Sequence, residues 1–262
     1  MTQSIRIFLI FLWRDITIYW KLRGAYFINY ALIYPALYAF VFLYVGAQIF
    51  FGPGNAYTGT MLFASNIVLT IMTLTYKLNI ALLFDLEQDR FIDYQTTLLA
   101  PRYVLLERIL FTALFTALLL TPYFPIAKLL FGNKFVSTNI SWLALELMIV
   151  LSTLFGSAYH LMVSCVIKNS SHMSKFWIRL NQPLLILGGF WVPHAIIAQF
   201  SPILGILCYF NPFMYMTEGI RHAILGGSEF FRFSTCTLAL ITATIFCTLI
   251  SFYFFKKRTD HL

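Results

Sequence analysis

The sequence is short of charge. Eighteen Lys and Arg and ten Asp and Glu make up only 11% of its 262 residues, where soluble domains carry about 25%. Hydrophobic residues reach 60%, which excludes an ordinary soluble domain and leaves a polytopic membrane protein. No GxxxxGK[ST] run is present, so this chain forms no P-loop phosphate cradle. HExxH, GxSxG and Cys-x-x-Cys are missing too, which removes the zinc-peptidase, serine-hydrolase and structural-zinc patterns. Its four cysteines, Cys165, Cys208, Cys236 and Cys247, have no ligand spacing and read as small apolar packing residues. Residues 7–13 are apolar, but no small-residue cleavage site follows them. The net charge of +8 is dispersed over span ends, which argues for membrane topology and against a nucleic-acid partner.

What charge there is gathers between residues 85 and 108. Eight charged residues lie there: Asp85, Glu87, Asp89, Arg90, Asp93, Arg102, Glu107 and Arg108. Each would cost roughly 2.5–3.5 kcal/mol at mid-bilayer even on the mildest scale. The island is therefore expected to stand in water between two spans.

Six spans are expected, at 26–51, 57–84, 109–130, 142–167, 176–192 and 233–255. The first contains Pro35, which should kink it, and the fifth is interrupted by Pro183, Gly188 and Gly189. Ahead of them, residues 4–23 hold an apolar core too short to cross a bilayer. Arg14, Thr17 and Lys21 share one face there, with Trp13 and Trp20 placed to anchor. This reads as an interfacial helix, or else as an extension of the first span. Residues 193–227 are apolar but cut by Ser201-Pro202 and Asn211-Pro212 into pieces too short to span, and read as a re-entrant hairpin. The expected fold is all-α. With both termini on one side, fourteen of the eighteen Lys and Arg fall on that side, Lys77 among them, which makes it cytoplasmic.

Three constellations invite chemistry. Asp85, Asp89 and Asp93 would put three carboxylates on one helix face, a ladder that could hold Mg²⁺ against a diphosphate in an intramembrane lipid-diphosphate transferase. The plainer reading is a solvated docking surface. Glu146 and His160 are fourteen residues apart on one helix, about 21 Å, too far to serve one bond. His160 then reads as a hydrogen-bonded packing residue. Glu218 and Arg221, at i and i+3 in an apolar setting, read equally as a functional pair or a structural one.

The order of parts, with the segment YFNPFMYMTEGIRHAILGG at 209–227, resembles the permeases of the type-2 ABC exporter family. The Asn-Pro, aromatic, acidic, Gly, Arg sequence maps onto Asn211, Pro212, Tyr215, Glu218, Gly219 and Arg221, and the segment FIDYQTTLLAPRYVLLERIL at 91–110 is similar to that family's cytoplasmic loop. The resemblance implies a homodimer in the inner membrane, both termini cytoplasmic, working with separate P-loop ATPase subunits that hold ATP and Mg²⁺. No cofactor is then expected in this chain. It also implies that 85–108 is a coupling loop, with Asp85, Glu87, Asp89, Arg90 and Asp93 meeting the ATPase, and that 193–227 is an external gate. The substrate path expected between the first, second and fifth spans holds Asn29, Asn66, Thr73 and Asn181. Backed by Phe and Tyr, such a seam suits an amphiphilic or lipid-linked cargo: a glycolipid, lipo-oligosaccharide, lipid-borne polysaccharide or drug.

Overall fold

Long apolar sequences satisfy their backbone polar groups within themselves, and the chain does so wholly by helices among the described residues. The computed structural model describes residues 2–22, 24, 27–46, 56–84, 91–132, 135, 140–167, 169–227 and 229–259. Helix α1 is Thr2–Leu22. The run α2 is continuous in three pieces, Phe27–Ile33, Tyr34–Ala39 and Phe40–Gly46. Helices α3 (Ala56–Phe84), α4 (Phe91–Leu98), α5 (Pro101–Leu120), α6 (Tyr123–Phe131) and α7 (Trp142–Val166) follow. The run α8 has pieces Met173–Phe176, Trp177–Asn181 and Gln182–Leu187. Last come α9 (His194–Phe200), α10 (Pro202–Tyr209), α11 (Pro212–Leu225) and α12 (Phe233–Thr259).

Among the described residues four stretches are long and apolar enough to cross a bilayer: Tyr57–Ala81, Pro101–Leu130, Trp142–Val166 and Phe233–Lys257. The other two expected spans have a different build. Within 26–51 the described run α2 is π-helical at both ends, and in α8 a π-helical piece joins two short α-helical ones. In both runs a π-helical turn comes just before the proline, Pro35 or Pro183, which then sits in the first turn of an α-helical piece. A proline lacks the donor that the preceding turn would use, and the wider winding ahead of it accommodates the loss without a sharp break.

α7 is the central helix and packs on α3, α5, α11 and α12. Its buried face carries Ser152, Gly156, Ser157, Ala158 and Ser164, small residues that let neighbouring backbones come close. By contrast α12 turns Leu238, Phe246, Leu249 and Tyr253 outward, each at least 60% exposed, and among its described side chains buries only the stripe Cys236, Leu240, Cys247, Ser251 and Phe255. All four cysteines are buried, and the Cys208 thiol donates to the Leu187 carbonyl at 3.3 Å.

Two expectations change at the charged island. The third span was expected to start at 109, but its helix begins at Pro101. Proline suits the first helical position, and Ala100 before it is extended (φ −57°, ψ 142°), as a residue preceding proline prefers. The last third of the charged island is thus the first two turns of a helix. Glu107 and Arg108 are 1% and 6% exposed rather than in water, because α1 lies over them. Lys77, counted with the same loop, lies within α3 instead.

Candidate functional site

A groove of about 390 Å³ opens between α2, α3 and α8. Its first wall is a ladder on α2: Tyr30, Tyr34 and Tyr38 repeat every fourth residue, with ring centroids 4.9 Å apart for the first pair and 6.0 Å for the second. Its second wall is α3, which contributes Leu69, Thr70, Thr73, Tyr76 and Lys77. Trp177 and Gln182 of α8 complete it, the Trp177 ring 4.8 Å from that of Tyr76. The Lys77 ammonium donates to the Tyr30 hydroxyl at 2.7 Å. Both π-helical pieces next to the prolines supply lining residues, Tyr30 from α2 and Trp177 from α8. π-Turns are frequent at functional sites because they displace side chains from the regular helical repeat. Aromatic faces interleaved with hydroxyls and one cation can stack on flat or ringed groups, bond polar ones and attract an anion.

The four polar residues expected along the path are not brought together. Thr73 lines the groove, its hydroxyl donating to the Leu69 carbonyl at 2.8 Å. Asn29 is half-buried on α2. Asn66 is enclosed in the core at 1% exposure, and neither side-chain polar atom has a hydrogen-bond partner. Asn181 is fully buried and engaged. Its Oδ1 accepts from the Tyr159 hydroxyl at 2.9 Å, so its Nδ2 faces His160 Nε2, also at 2.9 Å. That nitrogen must then accept, which leaves the imidazole proton on Nδ1, 3.1 Å from the Gly156 carbonyl and 2.9 Å from Thr75 Oγ1. His160 is thus bonded on both nitrogens and ties α8 to α7 and α3, one ring away from the groove wall at Trp177. The tyrosine ladder escaped the sequence reading. Its signal was present as Tyr30-x₃-Tyr34-x₃-Tyr38, one helical face, hidden among fifteen tyrosines.

The residues expected at the outer gate form a staple under the hairpin. Asn211 caps α11, its Oδ1 accepting from the Phe213 amide at 3.1 Å, while its Nδ2 donates to the Leu184 carbonyl at 2.7 Å. Pro212 begins that helix and the Tyr215 hydroxyl donates to the Tyr209 carbonyl at 2.8 Å. Gly219 faces α7 so closely that a β-carbon would collide with the Met148 side chain. Glu218 and Arg221 are completely buried and paired at 3.2 Å. Arg221 also donates to Ser65 Oγ at 2.6 Å and to the Gly189 carbonyl at 2.6 Å. Gly189 turns that carbonyl inward from a φ of 79°, where other residues are strained. The Glu218 carboxylate takes the amides of His194 (3.2 Å) and Phe231 (3.4 Å). One pair therefore pins α11 to α3, to the turn after α8, to the start of α9 and to the lead-in of α12. Satisfied this fully, the pair is built as a structural staple would be.

At the opposite edge a second buried cluster joins α1 to α5. Asp15, 3% exposed, accepts from Arg14 Nε at 2.9 Å and lies 3.6 Å from Arg108 Nη1, with Glu107 buried next to Arg108. The outward face of α1 is apolar: Ile5, Leu9, Ile10 and Trp13 are more than half exposed. That arrangement suits a helix lying in the membrane interface, with Asp15 turned inward onto the spans while Arg6 and Lys21 stay exposed. Asp85, Glu87, Asp89 and Arg90 lie outside the described residues. Asp93 falls within α4, and its side chain is likewise outside the description.

Helices spanning a bilayer, a short helix before α5 and a pinned helical hairpin before the last helix are one arrangement. A family model for the ABC-2 type transporter matches residues 6–225, from α1 to the end of α11. The chain belongs to the ABC-2 type transporter family. As such it is a multi-pass membrane permease component of an ABC transporter, a family that works with an ATP-binding subunit. No curated protein and no solved structure matches it. The ABC-2 match gives no support to the alternative in which Asp85, Asp89 and Asp93 serve a lipid-diphosphate transferase.

Proposed function

We propose that this permease, paired as a homodimer in a bacterial-type inner membrane with both termini cytoplasmic, exports an amphiphilic or lipid-linked substrate using ATP hydrolysed on separate P-loop subunits. The groove between α2, α3 and α8 carries this reading. It joins an aromatic ladder, hydroxyls and a cation on one side of the molecule. Such a lining suits a cargo with a polar, ring-bearing head and a lipid tail better than it suits a bare ion or a purely apolar compound. The family works with an ATP-binding subunit, which supports an energy source outside this membrane part. Coupling passes through the acidic stretch at 85–93 and α4, which joins two spanning helices directly.

The hairpin α9–α10 serves as the outer gate in this reading. Its outward residues are apolar, Phe200 at 89% and Phe210 at 80% exposure, and its base is held by Glu218 and Arg221. Purification of the chain from its own membrane in mild detergent tests the partner directly. A P-loop ATPase should accompany it in equal number. A chain that purifies alone and exports unaided would remove the proposal.

A further inference from the structure

We propose that a second groove, between α1, α5, α7 and α12, binds one anionic phospholipid, with its tail in the groove and its head at Arg102. The groove measures about 680 Å³ and shares no lining residue with the tyrosine groove. Its walls make little polar demand. Ile5, Phe8 and Leu9 of α1 line it, together with Thr244 and Thr248 of α12. Thr244 donates its hydroxyl proton to the Leu240 carbonyl at 2.7 Å, and Thr248 donates to the Thr244 carbonyl at 2.8 Å. Neither proton is left for an occupant. Among the described residues that line the groove, none is charged. Such a lining suits a hydrocarbon chain.

Depth and charge identify that chain. Tyr103 stands in the first turn of α5, and Leu110 lies seven residues further along the same helix, about 10 Å at the helical rise. Leu154, which the groove also reaches, is twelve residues from either end of α7. The groove thus runs from the end of one spanning helix to the middle of another. That is one leaflet's share of a hydrocarbon core about 30 Å thick, the reach of one lipid tail. At the shallow end the Arg102 guanidinium lies 5.0 Å from the centre of the Tyr103 ring. Arg102 is exposed, and among the described residues it has no carboxylate partner. A guanidinium there fits a lipid phosphate. Phosphatidylcholine carries its own cation beside the phosphate, so Arg102 favours a head of net negative charge. A tail seated in this way touches α1, α5, α7 and α12 at once.

The test uses the full chain in phosphatidylcholine nanodiscs. They carry a trace of phosphatidylglycerol with a photoreactive tail, or of phosphatidylcholine with the same tail. Peptide mapping after illumination gives the label on the lining, read against label on the outward α12 residues Leu249 and Tyr253. Phosphatidylglycerol should label the lining about fivefold more than phosphatidylcholine, the preference expected of one cation near the head. Arg102→Gln should bring the two lipids level. Arg6→Gln should keep the preference, because Arg6 is exposed on α1 and outside this lining. Leu110→Trp fills the deep part of the groove and should lower lining label from both lipids, while Leu249 and Tyr253 keep theirs. Equal lining label from both lipids in wild type, or a preference that survives Arg102→Gln, would overturn the site. So would a lining that neither lipid labels and that cross-links instead to a second copy of the chain.

Discussion

His160 and Asn181 meet at 2.9 Å in the interior, imidazole Nε2 accepting from the amide. The contact ties the irregular run α8 to the central helix, with Thr75 on α3 at the other ring nitrogen. It places the α8 wall of the groove under control of a buried network rather than of lipid packing. Asn181→Ala should leave a buried acceptor on His160 and a buried Tyr159 hydroxyl without their partner. The expected loss is about 1–3 kcal/mol of stability, seen as a lower melting temperature in detergent, with weaker amphiphile binding because Trp177 is no longer held. An unchanged melting temperature would mean that water substitutes fully for the amide.

Glu218 and Arg221 should behave as a unit. Removing either partner strands a buried charge, and Arg221→Ala or Glu218→Ala should cost about 3–5 kcal/mol. Replacing both, Glu218→Leu with Arg221→Met, should recover much of that loss, since the desolvation of both charges is then avoided. A double variant as unstable as the sum of the singles would show that the contacts to Ser65, Gly189 and His194 matter more than the pair.

Asp15 is expected to hold α1 against α5. In Asp15→Ala the Arg108 guanidinium loses its buried counter-charge, and α1 should loosen. Hydrogen exchange in the α1 amides should rise in that variant and stay low in α7. Equal exchange in wild type and variant would mean that apolar contacts, those of Phe8, Phe11 and Tyr19 among them, suffice to hold α1.

Charge reversal at Asp85, Asp89 and Asp93 tests the coupling stretch. Single exposed pairs contribute only about 0.2–1 kcal/mol, so one reversal should have little effect and three together should weaken ATPase docking, with membrane insertion intact. Normal ATP-driven export by the triple variant would remove the stretch from the coupling path.

The fold class could be read from the sequence because apolar length and charge spacing decide what a bilayer accepts. Helix breaks were legible for the same reason: proline at 202 and 212 leaves no choice of boundary. The charged island was legible only in part. A charge in sequence marks a water-facing loop only when nothing covers it, and α1 covers Glu107 and Arg108 through Asp15, an acid ninety-three residues from Arg108. The groove was missed where it depends on which polar residues share one face across three helices. Asn66, Thr73 and Asn181 look alike in sequence, yet two are enclosed and one lines the cavity. Glu218 and Arg221 read equally as a functional or a structural pair in sequence, because buried charge in a membrane protein signals function by default, and their many partners come from elements far apart in the chain.

The most direct test is transport by the assembled complex. The chain, co-purified with its ATPase, is placed in phosphatidylcholine vesicles, and ATP-driven movement of a fluorescent amphiphile between leaflets is followed by dithionite quenching. Wild type should move it with ATP, and Tyr34→Leu with Tyr38→Leu should reduce the rate at least roughly tenfold while nucleotide binding stays normal. Unimpaired movement by that groove variant would contradict the account.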